Sequence, residues 1–246
     1  MLGLRGGKNG SQKGQKSKTF KEHANAIKNN LKLLKISNIA IQKFPLALMI
    51  LLTELHYHPS IQYFQQVLKA DEVLIEAHEN YVKQSYRNRC HVLTSQGVIA
   101  LTVPVKGGNK KTLITELEID YEQKWVNAHW RTIKSAYGNS PYFEFYADYF
   151  EAIYKKQPRF LFELNREFLD LYFKFLKITK PLRLTERYEE KYDEQVLDLR
   201  SQIHPKKAPD NLTIKSYNQV FGKQFAPDLS ILDLLFNQGP EAALYL

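Results

Sequence analysis

A polar segment with the composition of a binding site follows the second predicted strand of the chain. Lysine and arginine alternate there with asparagine and tyrosine over residues 76–89. Arginine offers a two-pronged donor to phosphate or carboxylate, and lysine adds a point charge. The segment therefore predicts a site for an anionic small molecule such as a nucleotide sugar, although a solvated hairpin with cross-strand charge pairs explains the same residues. The candidate binding residues of this segment are His78, Asn80, Lys83, Arg87, Asn88 and Arg89.

Three residues could carry catalysis. His129 lies on a predicted helix, and a histidine with a pKa near neutral can take a proton from an amine or a hydroxyl group. Glu76 and Glu79 could orient this histidine or act as the acid. A lone helical histidine is more often structural, so both interpretations of His129 stay open. Further candidate binding residues are Tyr57, Tyr63 and Tyr137.

Two histidines and a neighbouring glutamate are candidate metal ligands. His56, His78 and Glu79 could in principle bind a metal ion, but their spacing matches no known zinc motif. The sequence carries no glycine-rich phosphate loop and no nucleophile elbow. It therefore predicts no metal site, and it does not identify a cofactor.

The positive charge of the chain is confined to its first fifth. Residues 1–48 carry ten basic residues and one acidic residue, whereas residues 49–246 carry 25 of each. A phosphate-tracking surface should belong to the folded body, so this distribution argues against nucleic acid as a partner. Residues 1–48 are predicted to be a basic extension, disordered or weakly helical, because the first 19 have almost nothing to bury.

Two interpretations of this extension compete. It could be an arm for nucleic acid or an anionic surface. Alternatively, translation starts at Met49, which opens the first convincing strand, and residues 1–48 lie upstream of the true start. Residues 49–246 are predicted to form a single domain.

Cysteine content and hydropathy bear on the compartment. The single cysteine, Cys90, excludes an intramolecular disulfide and fits a reducing environment. No stretch approaches the roughly 20 apolar residues that span a bilayer. The sequence therefore predicts a cytoplasmic protein with no membrane span.

The patterning predicts an α/β (α+β) fold. Strands are expected at residues 49–55 and 72–76 around a helix at 60–68, which makes a βαβ-like opening. Further strands are expected at 91–93, 98–105 and 113–119, giving a mixed sheet in the first half. The second half is predicted to be mainly helical, with an aromatic core rather than a base-stacking platform. Its helices are expected at 125–137, 142–155, 159–177 and 229–236, and the charged residues 186–200 are expected to form a solvated helix face.

Several phrases of the body, taken in order, resemble the WbqC-like family of bacterial proteins. They are YHPSIQYF at 57–64, ADEVLIE at 70–76, HENYVKQSYRNR at 78–89, LTVPV at 101–105, HWRTIKSAY at 129–137, PYF at 141–143 and LSILDLLFNQGP at 229–240. One departure is His58, where the family is expected to have an aromatic residue. The resemblance is densest at residues 78–89, which favours a functional role for that segment.

The resemblance implies a setting in bacterial surface-polysaccharide and amino-sugar pathways. The expected function is an acyl- or aminoacyltransferase acting on an amino sugar or nucleotide sugar. In this scheme Lys83, Arg87 and Arg89 hold the anionic part of the substrate, and His129, helped by Glu79, deprotonates the acceptor amine. The alternative is a non-catalytic ligand-binding or scaffold protein that uses the same pocket.

Overall fold

Two short apolar runs form the centre of a four-stranded parallel sheet. The computed structural model of the chain describes residues 48–108, 110–207 and 214–246. Strand β1 (Ile50–Thr53) pairs in parallel with β2 (Glu72–Ile75), so that Leu51 lies opposite Val73. Helix α1 (Ile61–Lys69) connects them. The predicted βαβ-like opening is therefore confirmed.

Helix α1 begins where its sequence indicates. The side chain of Ser60 accepts a hydrogen bond from the backbone N–H of Tyr63, at 3.4 Å, and so satisfies one of the unpaired donors at the start of the helix. Ile61, Phe64 and Val67 are fully buried. Their spacing of three residues places them on one face of the helix, and this buried face anchors α1 to the rest of the fold.

The outer strands of the sheet come from the second half of the chain. Strand β5 (Leu182–Leu184) pairs with β2, and strand β6 (Val196–Asp198) pairs with β1, both in parallel. The strand order is β5-β2-β1-β6. The predicted α/β class is confirmed, but the mainly helical half also completes the sheet. The helix face predicted at 186–200 is wrong, because this segment contains β6 and irregular backbone.

A separate antiparallel hairpin consists of β3 (Arg89–Thr94) and β4 (Gly97–Thr102). Gly97 ends the tight turn between these strands. Its φ of 99° is a backbone conformation that residues other than glycine rarely adopt. The strand predicted at 113–119 is wrong. Residues Ile114–Glu116 form a 3₁₀ helix, and only single bridges to other segments flank it.

Four helices supply most of the core. They are α2 (Trp125–Tyr137), α3 (Phe143–Lys156), α4 (Leu161–Phe175) and α5 (Ile231–Gln238), and a 3₁₀ helix (Gly239–Tyr245) follows α5. Phe150, Phe168 and Phe236 are fully buried, and the ring of Phe150 contacts both of the others. Each such ring contributes about 1.5–3 kcal/mol through burial. The aromatic residues of the helices therefore form a core, as predicted.

Residues 48–246 form one compact unit. The extension predicted at residues 1–48 lies outside the described residues, except for Leu48. Within the described ranges, no helix has the length and apolar character needed to cross a membrane.

Candidate functional site

Polar side chains follow each strand of the parallel sheet at its carboxyl end. Glu54 follows β1, Glu76 follows β2, Thr185 follows β5, and Arg200 and Ser201 lie just beyond β6. The carboxyl ends of parallel strands meet at one edge, and open α/β sheets bind ligands in the crevice outside that edge. This edge is therefore the expected position of a functional site.

A cavity of about 690 Å³ opens at this edge, and we call it the carboxyl-edge cavity. The segment after β2 and the segment around β6 both contribute to it. Of the residues predicted from the sequence, Glu79, His78 and Asn80 face this cavity. Its full lining is His78, Glu79, Asn80, Val82, Tyr188, Glu190, Asp198, Arg200 and Ser201.

A buried arginine lies between two carboxylates beside the cavity. Arg87 is 0% exposed, and its Nε and Nη2 donate to the two carboxylate oxygens of Glu79 at 2.7 and 2.6 Å. Its Nη1 lies 3.1 Å from Oε1 of Glu54, and its Nη2 also donates to Oγ of Ser201 at 3.0 Å. Burying a guanidinium is costly unless it is paired and hydrogen-bonded, and the two carboxylates meet that requirement. Arg87 therefore holds the cavity wall together and is not available to grip an anionic ligand.

The two carboxylates paired with Arg87 have different electrostatics. Burial raises the pKa of Glu54, but the hydrogen bond from His56, the charge of Arg87 and a backbone bond from Ser201 outweigh burial and lower it to about 2. Burial raises the pKa of Glu79 above its ordinary value, and Arg87 opposes this only in part. Glu79 is thus protonated more readily than an ordinary glutamate.

A second arginine faces the cavity directly. Arg200 donates from Nη1 to Oε2 of the fully buried Glu76 at 2.8 Å, and it pairs with both oxygens of Asp198. Its guanidinium lies over the rings of Tyr188 and Tyr192, at 4.9 and 5.3 Å from the ring centroids. Glu76, predicted as catalytic, is in this way the anchor of Arg200.

A chain of five buried side chains crosses the core, and we call it the buried hydrogen-bond chain. Its members are His129, Tyr57, Tyr154, His58 and Tyr172, in that order. The links measure 2.9 Å from His129 Nδ1 to the Tyr57 hydroxyl, 2.5 Å between the hydroxyls of Tyr57 and Tyr154, 2.8 Å from Tyr154 to His58 Nε2 and 2.6 Å from His58 Nδ1 to Tyr172. His58 takes the place of the expected family aromatic and packs on Phe168 with ring centroids 4.1 Å apart.

The donor direction along this chain follows from the second nitrogen of His129. The backbone of Thr102 accepts a hydrogen bond from the His129 ring, so Nδ1, which faces Tyr57, carries no proton. Tyr57 must then donate to His129, Tyr154 to Tyr57, and His58 Nε2 to Tyr154. Every link is satisfied with both histidines neutral. Burial lowers the pKa of His129 to about 4 and that of His58 well below its usual value.

The structure does not join the predicted catalytic histidine to the predicted glutamates by a hydrogen bond. His129 is bonded to Tyr57, whereas Glu79 is bonded to Arg87. Tyr57, predicted to bind substrate, is fully buried as a member of the buried hydrogen-bond chain.

Three other predicted binding residues are also buried and have contacts within the protein. Asn88 donates to the carbonyl of Val103 at 2.8 Å, and the hydroxyl of Tyr137 accepts from a backbone N–H of β3 at 3.4 Å. Tyr63 packs against the ring of His56. These contacts within the protein indicate a structural role for the three residues. Their role in substrate binding stays a prediction.

The two remaining cations lie outside the lining of the carboxyl-edge cavity. Lys83 is exposed and directly follows Val82, which lines the cavity, so Lys83 lies near its rim. Arg89 is half-buried on β3. The histidines weighed for metal binding have different partners, since His56 contacts Glu54 and His78 contacts the carbonyl of Thr185. No group of three His, Cys, Asp or Glu suited to a metal ion occurs in the part of the chain that the structure describes.

Sequence reasoning missed the half of the cavity that β6 contributes. Tyr188, Glu190, Asp198 and Arg200 all belong to the charged segment that was predicted to be a solvated helix face. One signal could have found Glu54, because it directly follows a predicted buried strand and the carboxyl ends of parallel strands commonly carry function.

Comparison with known proteins identifies a family and a relative of the chain. The profile of the WbqC-like protein family matches residues 55–208 and 210–245. The uncharacterized protein Rv1507c of Mycobacterium tuberculosis (strain ATCC 25618 / H37Rv) is 32% identical over 219 residues, which cover 78% of this chain and 94% of that protein. No solved structure matches the chain. With the family profile covering most of its length, the chain belongs to the WbqC-like protein family.

Proposed function

We propose that the chain is an acyl- or aminoacyltransferase that acts on an amino sugar, free or carried on a nucleotide, in bacterial surface-polysaccharide biosynthesis. The acidic lining of the carboxyl-edge cavity carries this proposal. Glu79, Glu190 and Asp198 line it, and Arg200 is the one lysine or arginine among its lining residues. Such a set of carboxylates attracts a protonated amine. The polysaccharide setting rests on the family association alone.

The transfer step needs a base at the acceptor nitrogen. The protonated amine first releases one proton to solvent, which frees the lone pair that attacks the acyl carbon. A bond then forms from nitrogen to carbon, and the bond from carbon to the leaving group breaks with its electron pair. A second proton leaves the nitrogen as the amide forms, passes to the base and from it to the leaving group. Glu79 fits the role of base, because it lines the cavity and burial raises its pKa toward neutral.

The other candidate residues take supporting roles in this scheme. Glu76 positions Arg200, which presents a cation to the acyl donor. His129 is the alternative base, but both of its ring nitrogens are engaged, one by Tyr57 and one by the backbone of Thr102. Glu79 lines the cavity and His129 does not, so the geometry favours Glu79 over His129.

A nucleotide carrier would lie at the rim of the cavity and not inside it. Arg87 is fully buried between two carboxylates, so it cannot contact a diphosphate. Lys83 is exposed beside the lining residue Val82 and could approach a phosphate there. Arg89 does not line the cavity. The amine of the sugar, and not its phosphate, is proposed to enter the acidic interior.

A non-catalytic ligand-binding protein is the second candidate. The observation that favours it is the pairing of both Glu79 oxygens with Arg87 at 2.6–2.7 Å, because such hydrogen bonds stabilise the charged carboxylate and make it a weaker base. Under this alternative the same cavity binds an amine without turnover.

Binding is tested by calorimetric titration with glucosamine and N-acetylglucosamine. These sugars share a ring, but only glucosamine carries an amine that is protonated near neutral pH. We expect glucosamine to bind the full chain and N-acetylglucosamine to bind at least about tenfold more weakly, a difference of about 1.4 kcal/mol. Glu190→Gln should weaken glucosamine binding, and Glu189→Gln is the matched control. Equal binding of the two sugars, with no effect of Glu190→Gln on glucosamine binding, would refute the proposed amine site.

Turnover is tested by mass spectrometry of glucosamine incubated with acetyl-CoA or with aminoacyl thioesters. An acylated product would identify a transferase. We expect Glu79→Gln to slow product formation by about 10²–10⁴-fold, the usual contribution of a general base. Loss with His129→Asn and not with Glu79→Gln would assign the base to His129. Saturable binding with no product from either donor class would favour the non-catalytic candidate.

A further inference from the structure

A second cavity, distinct from the carboxyl-edge cavity, lies where the α2–α3 connection meets the end of α5. Its volume is about 670 Å³. We call it the amide cleft, because five of its ten lining residues carry a side-chain amide. They are Asn139, Asn218, Gln219, Asn237 and Gln238, and the rest of the lining is Pro141, Tyr142, Val220, Phe221 and Glu241. We infer that the amide cleft binds a neutral saccharide. This inference does not depend on the proposed transferase activity.

The amides fall into two groups by their hydrogen bonds. Gln219 is fully engaged, since it donates to Ala226 and to Asp233 and accepts from the N–H of Ala226, each at 2.9 Å. Asn237 donates to the carbonyl of Asp233 at 2.7 Å. These two side chains fix the shape of the cleft wall.

The remaining three amides are available to a ligand. The side chains of Asn139, Asn218 and Gln238 make no hydrogen bond to any residue that the structure describes. Each amide offers both an acceptor oxygen and an NH₂ donor. A sugar hydroxyl also donates and accepts at once, so adjacent hydroxyls match such groups better than a ligand with only donors or only acceptors.

An aromatic ring supplies the apolar wall of the cleft. A side chain at Gly239 would place its Cβ 2.4–2.6 Å from three ring atoms of Tyr142, so the tyrosine ring rests directly on the glycine backbone. The backbone N–H of Tyr142 donates to the carbonyl of Phe236 at 3.0 Å, which ties the ring to α5. Phe221 provides a second ring in the lining. Aromatic rings combined with a few fixed polar groups give an amphipathic surface, and a pyranose has both C–H faces and hydroxyl edges.

The charge of the cleft selects against ionic ligands. Glu241 is the one charged residue in its lining, whereas four residues of the carboxyl-edge cavity are acidic or basic. A phosphate or carboxylate would meet no lysine or arginine in the cleft. A cation would meet a single carboxylate at Glu241. A neutral ligand therefore fits this surface best.

The test is saturation-transfer NMR on the full chain with glucose, galactose and N-acetylglucosamine. We expect transfer to the ring protons of at least one sugar. Asn139→Ala/Asn218→Ala should weaken its affinity by about tenfold or more, because two hydrogen bonds of about 1 kcal/mol each are lost. Tyr142→Ala is a second variant at the aromatic wall. Glu190→Gln, in the other cavity, is the control and should leave this binding unchanged.

Three outcomes would overturn the inference. They are the absence of transfer from all three sugars, transfer that persists at full strength in the double amide variant, and loss of transfer in Glu190→Gln. The last outcome would place the sugar in the carboxyl-edge cavity. Glu190→Gln tests glucosamine binding in the carboxyl-edge cavity and the double amide variant tests sugar binding in the amide cleft, so failure of the cleft and failure of the proposed function give different results.

Discussion

Acidification is expected to destabilise the protein through His129, which lies in the core with both ring nitrogens engaged. Burial lowers the pKa of this histidine from 6.5 to about 4. The unfolded chain therefore binds a proton more readily than the folded protein as the pH falls below 6.5. Stability is fully present above that value, falls as the pH drops through the window from 6.5 to 4, and levels off below it. The limiting loss is about 3 kcal/mol, because each pKa unit corresponds to about 1.36 kcal/mol.

The magnitude can be isolated by comparing the wild type with His129→Asn. The asparagine keeps an acceptor for Tyr57 but does not titrate. Between about pH 7.5 and about pH 5, the wild type should lose about 2 kcal/mol more of its free energy of unfolding than the variant, by the same linkage. Other titrating groups contribute to both proteins. Asp228, whose pKa burial raises to about 6, acts in the opposite direction, and its contribution cancels in the difference.

The assay is urea unfolding at both pH values, followed by far-ultraviolet circular dichroism. Arg131→Gln is the control, because Arg131 is exposed on the same helix and arginine does not titrate in this range. This control should keep the pH dependence of the wild type. Equal losses of stability in the wild type and His129→Asn would refute a buried neutral histidine at this position.

Three further predictions concern the remaining buried groups and the N-terminal residues. Arg87→Met should destabilise the protein by about 3–5 kcal/mol in urea unfolding, because Glu54 and Glu79 would stay buried without their cation. Tyr154→Phe removes the central hydroxyl of the buried hydrogen-bond chain, so Tyr57 and His58 each lose one hydrogen bond and His58 Nε2 is left without a partner, and a loss of about 1–3 kcal/mol is expected in the same assay. Deletion of residues 1–47 should leave the melting temperature of the remaining chain within about 2 °C, which is less than a change of 1 kcal/mol produces in a domain of this size.

Matched variants separate these effects from general damage. Arg187→Met removes an exposed arginine that pairs with Glu189, and it should cost at most about 1 kcal/mol. Tyr149→Phe removes a half-exposed hydroxyl and should be close to neutral. Losses in Arg87→Met or Tyr154→Phe that do not exceed those of their controls would contradict the proposed networks. A large drop in melting temperature on truncation would show that residues 1–47 stabilise the body.

The sequence predicted those elements of the fold that a few adjacent residues specify. The β1-α1-β2 unit has two apolar runs, a capping serine and a helix with one buried face, and each of these shows in a few adjacent residues. Helix α2 was predicted with its observed bounds for the same reason. Strands β5 and β6 were missed because three residues are too few to show a period of two.

The candidate site was predicted on one side only. Residues 76–89 drew attention through their composition, and His78, Glu79 and Asn80 do line the carboxyl-edge cavity. Composition could not show that Arg87 is buried between two carboxylates, because Glu54 reaches it from another strand. The acidic side of the cavity depends on β6. The residues adjacent to β6 in the sequence do not predict that it pairs with β1. The structure places three carboxylates and one arginine in the lining of this cavity, and the anion site expected from the local cations stays a prediction.

The strand order β5-β2-β1-β6 also has a consequence for how the chain folds. Of the strands that the structure describes, the first two to be synthesised, β1 and β2, occupy the middle of the parallel sheet, and the strands that flank them are made much later. Contacts of high sequence separation slow folding, and a domain generally folds as a unit. Until residues 182–198 have been synthesised, β1 and β2 each have an unpaired edge that could join another chain. The nascent protein should therefore be most prone to aggregation during this interval, and completing the sheet edge should coincide with forming the carboxyl-edge cavity.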